Sequence, residues 1–281
     1  MKKEELIDMA VSLGLKRILH ELKVSAKQSI GIEALLYSEE LFETGQSKFG
    51  GLPHFPDEYY WPRWPDTGNT PLSFVAQINL SDLHLSANTY LPGKGILYFF
   101  YEADSQPWGM REDSGAWKVL FYDGAVSALK RRDFPPDLED RFDPCLLSFR
   151  NKTTIPHYPP DPWNVSREET EPYCKLLEAA ADDAKIHQMF GYPYILQGDM
   201  ETECELASRG MTWHDWNAMD ADNKSKIRAG AAEWRLLLQL DSDETGTGWA
   251  WGDCGIIYFW IKKQDLLMKR FDKCWLILQC L

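Results

Sequence analysis

Several things are scarce in these 281 residues, and each absence excludes a class of protein. No long apolar run is present, and Met1–Leu22 carries Glu4, Glu5, Asp8 and Lys16 where a leader or membrane span needs an apolar centre. The six cysteines, Cys145, Cys174, Cys204, Cys254, Cys274 and Cys280, contain no C-x-x-C pair. With no leader, this argues for reduced thiols and a cytoplasmic location. Positive charge is short: 30 Lys and Arg face 43 Asp and Glu, a net charge of −13. A nucleic-acid ligand is therefore disfavoured, because affinity for a phosphate backbone comes from cations that displace counterions. Catalytic signatures are also missing, with no G-x-S-x-G, no Walker lysine, no G-x-G-x-x-G and no H-E-x-x-H. The six histidines, His20, His54, His84, His157, His187 and His214, lack metal-ligand spacing.

What is abundant is aromatic: 12 tryptophans in a chain that is 44% apolar and 26% charged, the balance of a globular body. The indoles suit a large core, interfaces or stacking surfaces. The chain also says nearly the same thing twice. Leu72-Ser-Phe-Val-Ala-Gln77-Ile-Asn79, followed by Gly95-Ile-Leu-Tyr98, is echoed by Leu236-Leu-Leu-Gln239-Leu-Asp241, followed by Gly255-Ile-Ile-Tyr258. Each copy follows a Gly-x-Pro, at Gly51–Pro53 and Gly191–Pro193, and precedes another apolar run, Val119–Tyr122 and Trp275–Leu278. A supersecondary unit used twice is the expected origin of such an echo.

The fold class expected is α+β: β-rich, with two antiparallel-sheet units related by internal duplication and with peripheral helices. Residues 1–28 form an N-terminal helical segment broken at Gly14, and 29–132 a first β unit. Residues 133–170, with seven prolines, read as a connector; 171–281 hold a helix and the second β unit. Strands are expected over Ser29–Leu36, Leu72–Leu80, Gly95–Glu102, Trp117–Tyr122, Tyr194–Gln197, Trp234–Leu240, Gly255–Ile261 and Trp275–Leu281. Helices are expected from Glu171 to Phe190 and from Thr212, with a capping box to Asp215, to Asp220.

Gln77 and Gln239 occupy matching places, and a buried amide must satisfy both donors and acceptor. They bond neighbouring strands or, with Asn79, Gln197 and Asp241, bind a small polar ligand between the units. Asp241, Asp243 and Thr245, with Gly246, match the first half of a calcium loop, but Gly252 stands where the bidentate Glu belongs. Asp241 and Asp243 are thus metal candidates with calcium the cofactor, against the plainer reading of an acidic turn. Trp249, Trp251 and Asp253 share one face of an extended backbone, a pattern that suits sugar rings. Two function classes follow. One is a non-enzymatic binding module for a protein partner or small polar ligand where the units meet; the other is a hydrolase, acting on carbohydrate, that uses Asp241, Asp243 or Asp253.

Ser47-Lys-Phe-Gly-Gly-Leu-Pro53, Trp61-Pro62, Ala76-Gln-Ile-Asn-Leu80, Leu91-Pro92 with Gly95, Gly191-Tyr-Pro193 with Gln197, Leu238-Gln-Leu-Asp-Ser-Asp243 and Trp251-Gly-Asp-Cys-Gly255 resemble the YwqG-like family, a domain of unknown function. The resemblance runs from about Ser29 to the C-terminus. It implies a duplicated α+β architecture in an intracellular, mostly bacterial protein, and carries over no activity and no catalytic residue.

Overall fold

The computed structural model describes residues 1–65, 68–83, 90–181 and 185–281; the candidate His84 and residues 182–184 of the expected second-half helix lie outside the described residues. In chain order the strands are β1 (Lys27–Leu36), β2 (Lys48–Phe49), β3 (His54–Phe55), β4 (Arg63–Trp64), β5 (Thr70–Pro71), β6 (Ser73–Asn79), β7 (Ile96–Tyr101), β8 (Trp117–Tyr122), β9 (Lys130–Arg131), β10 (Cys145–Thr154), β11 (Gln188–Met189), β12 (Trp234–Asp241), β13 (Ile256–Lys262) and β14 (Trp275–Gln279). Ten of them make one sheet in the order β14-β13-β12-β11-β1-β10-β2-β6-β7-β8, and β3–β9 and β4–β5 are short ribbons. Every pairing is antiparallel.

The stretch read as a proline-rich connector carries β10, which pairs with all ten residues of β1, from Lys27 opposite Thr154 to Leu36 opposite Cys145. Its prolines flank the strand at Pro144 and Pro156 and none falls inside it, so no ladder donor is lost. This pair is the middle of the sheet. On one side lie β2, β6, β7 and β8; on the other lie β11, β12, β13 and β14. The sheet curls so that these two sets pack against each other, with Phe99 on Phe259 at 5.0 Å and Trp117 on Trp275 at 5.1 Å between ring centroids. One buried cluster accordingly draws residues from both sets.

Side chains alternate along a strand, so a curled sheet has a second, outer face to cover. The outer face of β7 is covered by the proline-rich loop, whose Phe55, Tyr59 and Trp61 pack on Tyr98 and Phe100. That of β12–β14 is covered by α4 (Met200–Ser208), where Met200 and Cys204 join Leu236, Tyr258 and Trp260. At the N-terminus α1 (Lys3–Ser12) and α2 (Leu19–Ser25) break around Gly14 as expected and pack on α3 (Arg167–Ala181). That last helix starts before Glu171 and stops well short of Phe190, leaving Pro172 inside it. Residues Tyr194–Gln197 are not a strand. The capping box from Thr212 to Asp215 opens α5 (Trp213–Ala218), and α6 (Ala221–Ala231) and α7 (Lys263–Leu267) follow.

Candidate functional site

The matched glutamines are wholly buried and their amides are spent on backbone. Gln77 Oε1 accepts from His54 N at 2.8 Å and its Nε2 donates to Gln46 O at 2.8 Å. Gln239 Oε1 accepts from Tyr194 N at 2.9 Å and its Nε2 donates to Ile186 O at 2.7 Å. His54 and Tyr194 each follow the proline of a Gly-x-Pro. The tyrosines opposite the glutamines in the ladder complete the bracket: Tyr98 donates to His54 O at 2.7 Å and Tyr258 to Tyr194 O at 2.5 Å. Both brackets need two consecutive left-handed residues before the Gly-x-Pro turn can close, supplied by Gly50 and Gly51 in one and by Phe190 and Gly191 in the other. Asn79 is half-buried; its amide donates to Gly45 O and its carbonyl caps Ser81 N. Gln197 is exposed, and its backbone N–H meets Gln279.

The acidic turn closes on itself. Asp243 is 5% exposed and its Oδ1 accepts from Gly246 N, while Asp241 accepts from Ile186 N; burial pushes the Asp241 carboxyl above the ordinary range. Asp253 is exposed. Trp249 and Trp251 do stack, at 5.3 Å, but both are 0% exposed, enclosed by Phe49, Phe142 and Tyr101, so neither offers a face to a sugar. Among the described residues no group of three His, Cys, Asp or Glu is placed to hold a metal ion, and all six cysteines are free.

The opening that draws on both sets of strands lies at their rim. A groove of about 800 Å³ runs between Tyr60, Trp61 and Pro62 of the proline-rich loop, Trp117 and Lys118 of β8, and Trp275 of β14. The indoles are fixed by their own bonds: Trp61 donates to Leu72 O, Trp117 to Cys274 O and Trp275 to Gly109 O. Its charges are largely matched in place. Glu205, 0% exposed, takes Arg209, Lys262 at 2.7 Å and the Trp234 indole, while Arg63 forks onto Asp137. Lys118 forms no ion pair among the described residues, and Tyr60 is 91% exposed. Among the described residues no histidine lines the groove, and burial pushes the Cys274 thiol well up, away from the thiolate a nucleophile needs.

Three of these buried polar groups give no sequence signal. Lys48, 0% exposed, donates to both Glu39 oxygens and to Leu52 O. His187, 1% exposed, accepts Asp241 N at Nδ1, the place Ser47 fills for Asn79. Glu205 sits in a helix that patterning did not find, and its neighbour Gly230 would collide with it if it carried a side chain.

Residues 47–280 match the family model described as a domain of unknown function, DUF1963. No curated protein matches the chain.

Proposed function

Because the chain belongs to the DUF1963 family, which brings no activity with it, we propose a role from geometry: a non-catalytic binding protein whose partner surface is the rim groove. The observation that supports it is a preformed groove of about 800 Å³ whose fixed indoles come from both sides and whose charges, Lys118 apart, are largely paired. Such a wall accepts apolar and planar groups without first breaking its own ion pairs, which suits an extended segment of a partner protein. The net charge of −13 steers a basic partner toward the molecule, so association should slow with salt.

Matching hydrogen-bond brackets around Gln77 and Gln239 support the further reading that a doubled ancestral unit made the groove, its two descendants meeting at the rim. The motif resemblance to YwqG-like proteins belongs to the same reading. The two carboxylates that line the groove, Asp265 and Asp272, are tied to Arg270 and Lys273, while Asp241 accepts from Ile186 N and Asp243 from Gly246 N, which weighs against the hydrolase class.

Chemical cross-linking followed by pull-down tests this directly. Wild type should recover a partner at low salt, and the variant Tyr60→Lys should lose it, since that exposed side chain does not hold the fold and a cation in its place repels a basic partner. Recovery of the same partner by both proteins, or of none by wild type, counts against the groove.

A further inference from the structure

A second cleft of about 800 Å³ opens where the N-termini of α1 and β1 meet β12 and α4. Its walls run against the charge of the chain. Lys2, Lys3, Lys27, Lys152 and Arg235 line it, against the carboxylates of Glu4 and Glu201. Unlike Arg63, Arg209 and Lys262 of the rim groove, Lys2, Lys3, Lys27 and Arg235 form no ion pair among the described residues. Although Glu201 attracts both Lys27 and Arg235, five cations against two carboxylates leave an excess of positive charge on one concave surface, and an anion of two or more charges relieves it.

Two of the cations are already held. Lys27 Nζ stands 3.8 Å over the Tyr192 ring. Arg235 Nη1 donates to Ala232 O at 2.6 Å and Trp234 O at 2.7 Å, which fixes the guanidinium and leaves Nε and Nη2 without a partner among the described residues. A guanidinium pinned at one nitrogen and open at two is prepared for a phosphate-like acceptor with little further loss of freedom.

The lining also carries four aromatic side chains, Tyr90, Phe190, Trp234 and Trp260. Trp260 is 1% exposed at the floor, with an indole N–H that has no partner among the described residues. Phe190, half-buried on the wall, is held at φ +59°, where the other bracket has Gly50. A phenyl group kept at a left-handed position that glycine fills more easily is a local cost. A ring on that wall can stack on a planar ligand.

We propose that this cleft binds a small phosphorylated ligand bearing a flat ring, of mononucleotide size. Lys27 and Arg235 take the phosphate oxygens and Phe190 faces the ring. The volume suits one such molecule. A nucleic-acid polymer is a poorer occupant, because beyond the cleft it would run along a surface of net negative charge.

Isothermal titration of the full chain with ADP and with inorganic phosphate, in low salt without added metal, tests the assignment. Wild type should bind ADP and hold it at least about tenfold more tightly than phosphate. Lys27→Gln and Arg235→Gln should each weaken ADP about tenfold, as expected for the loss of a charge-assisted bond, with an unchanged thermal midpoint. Phe190→Leu should weaken ADP and leave phosphate as it was. The assignment is overturned if wild type fails to bind ADP at millimolar concentration, if phosphate binds as tightly as ADP, or if folded Lys27→Gln and Arg235→Gln proteins bind like wild type.

Discussion

A buried glutamine amide brings two donors and one acceptor that water no longer serves, and its removal leaves other groups stranded. Replacing Gln239 by Leu strands Tyr194 N–H and Ile186 C=O in the interior, and Gln77→Leu strands His54 N–H and Gln46 C=O. Each substitution should cost about 2–4 kcal/mol in urea denaturation, and the two costs should be alike because the brackets are alike. A loss below about 1 kcal/mol at either site would show that the amide is not what holds its turn. Acid sensitivity belongs to this scale too. Burial lowers His187 from 6.5 to about 3, and burial followed by Lys48 and Arg131 lowers His54 to about 4. Both are neutral in the fold, and the unfolded chain takes up their protons more readily. Their contribution is therefore intact above pH 6.5 and is lost as pH falls, toward about 4 for His54 and about 3 for His187, at about 1.4 kcal/mol per pH unit per histidine. His187→Asn should flatten that loss by one histidine's share; a profile identical to wild type would mean that His187 charges freely in the fold. That Gln77 and Gln239 are buried, matched and satisfied was legible from their spacing, though their partners are turns rather than neighbouring strands, whereas the role of His187 was not, because the same place in the other bracket is Ser47.

Among the elements, those built on alternating or continuous apolar residues were legible to within a residue or two: β6, β7, β8, β12 and β13, together with the break between α1 and α2. The capping box at Thr212 also marked its helix correctly. The strand β10 was hidden because Arg150-Asn-Lys-Thr-Thr154 is polar and prolines crowd both ends, so its strand character comes from β1 rather than from its own pattern. Helix α4 was missed for a related reason: Glu201, Glu203 and Glu205 mask a stripe in which Glu205 itself is buried against Arg209, Lys262 and Trp234. Since β1 and β10 occupy the middle of the sheet and pair over ten residues, their amides should be the slowest to exchange with deuterium, protected up to global unfolding. Faster exchange there than in β8 and β14 would place the stable centre of the sheet elsewhere.

For the whole molecule, the sequence pointed to two β units meeting across a junction, and a single sheet folded on itself has the interior of that junction filled by Phe99, Phe259, Trp249 and Trp251. Gln77, Gln239 and Asp243 therefore brace turns, and the opening at the junction lies at its rim. That shift could not be read from the chain: whether an indole faces water or core depends on the curl of the sheet, which alternation alone does not set. Among the described residues no helix is long and apolar enough to cross a membrane. The groove is thus the surface on which the binding role stands. Hydrogen–deuterium exchange of the captured complex against the free protein tests it most directly. The account predicts new protection over Tyr60–Arg63, Ser114–Leu120 and Asp272–Trp275, with the acidic turn at 241–253 unchanged; protection confined to that turn would contradict it.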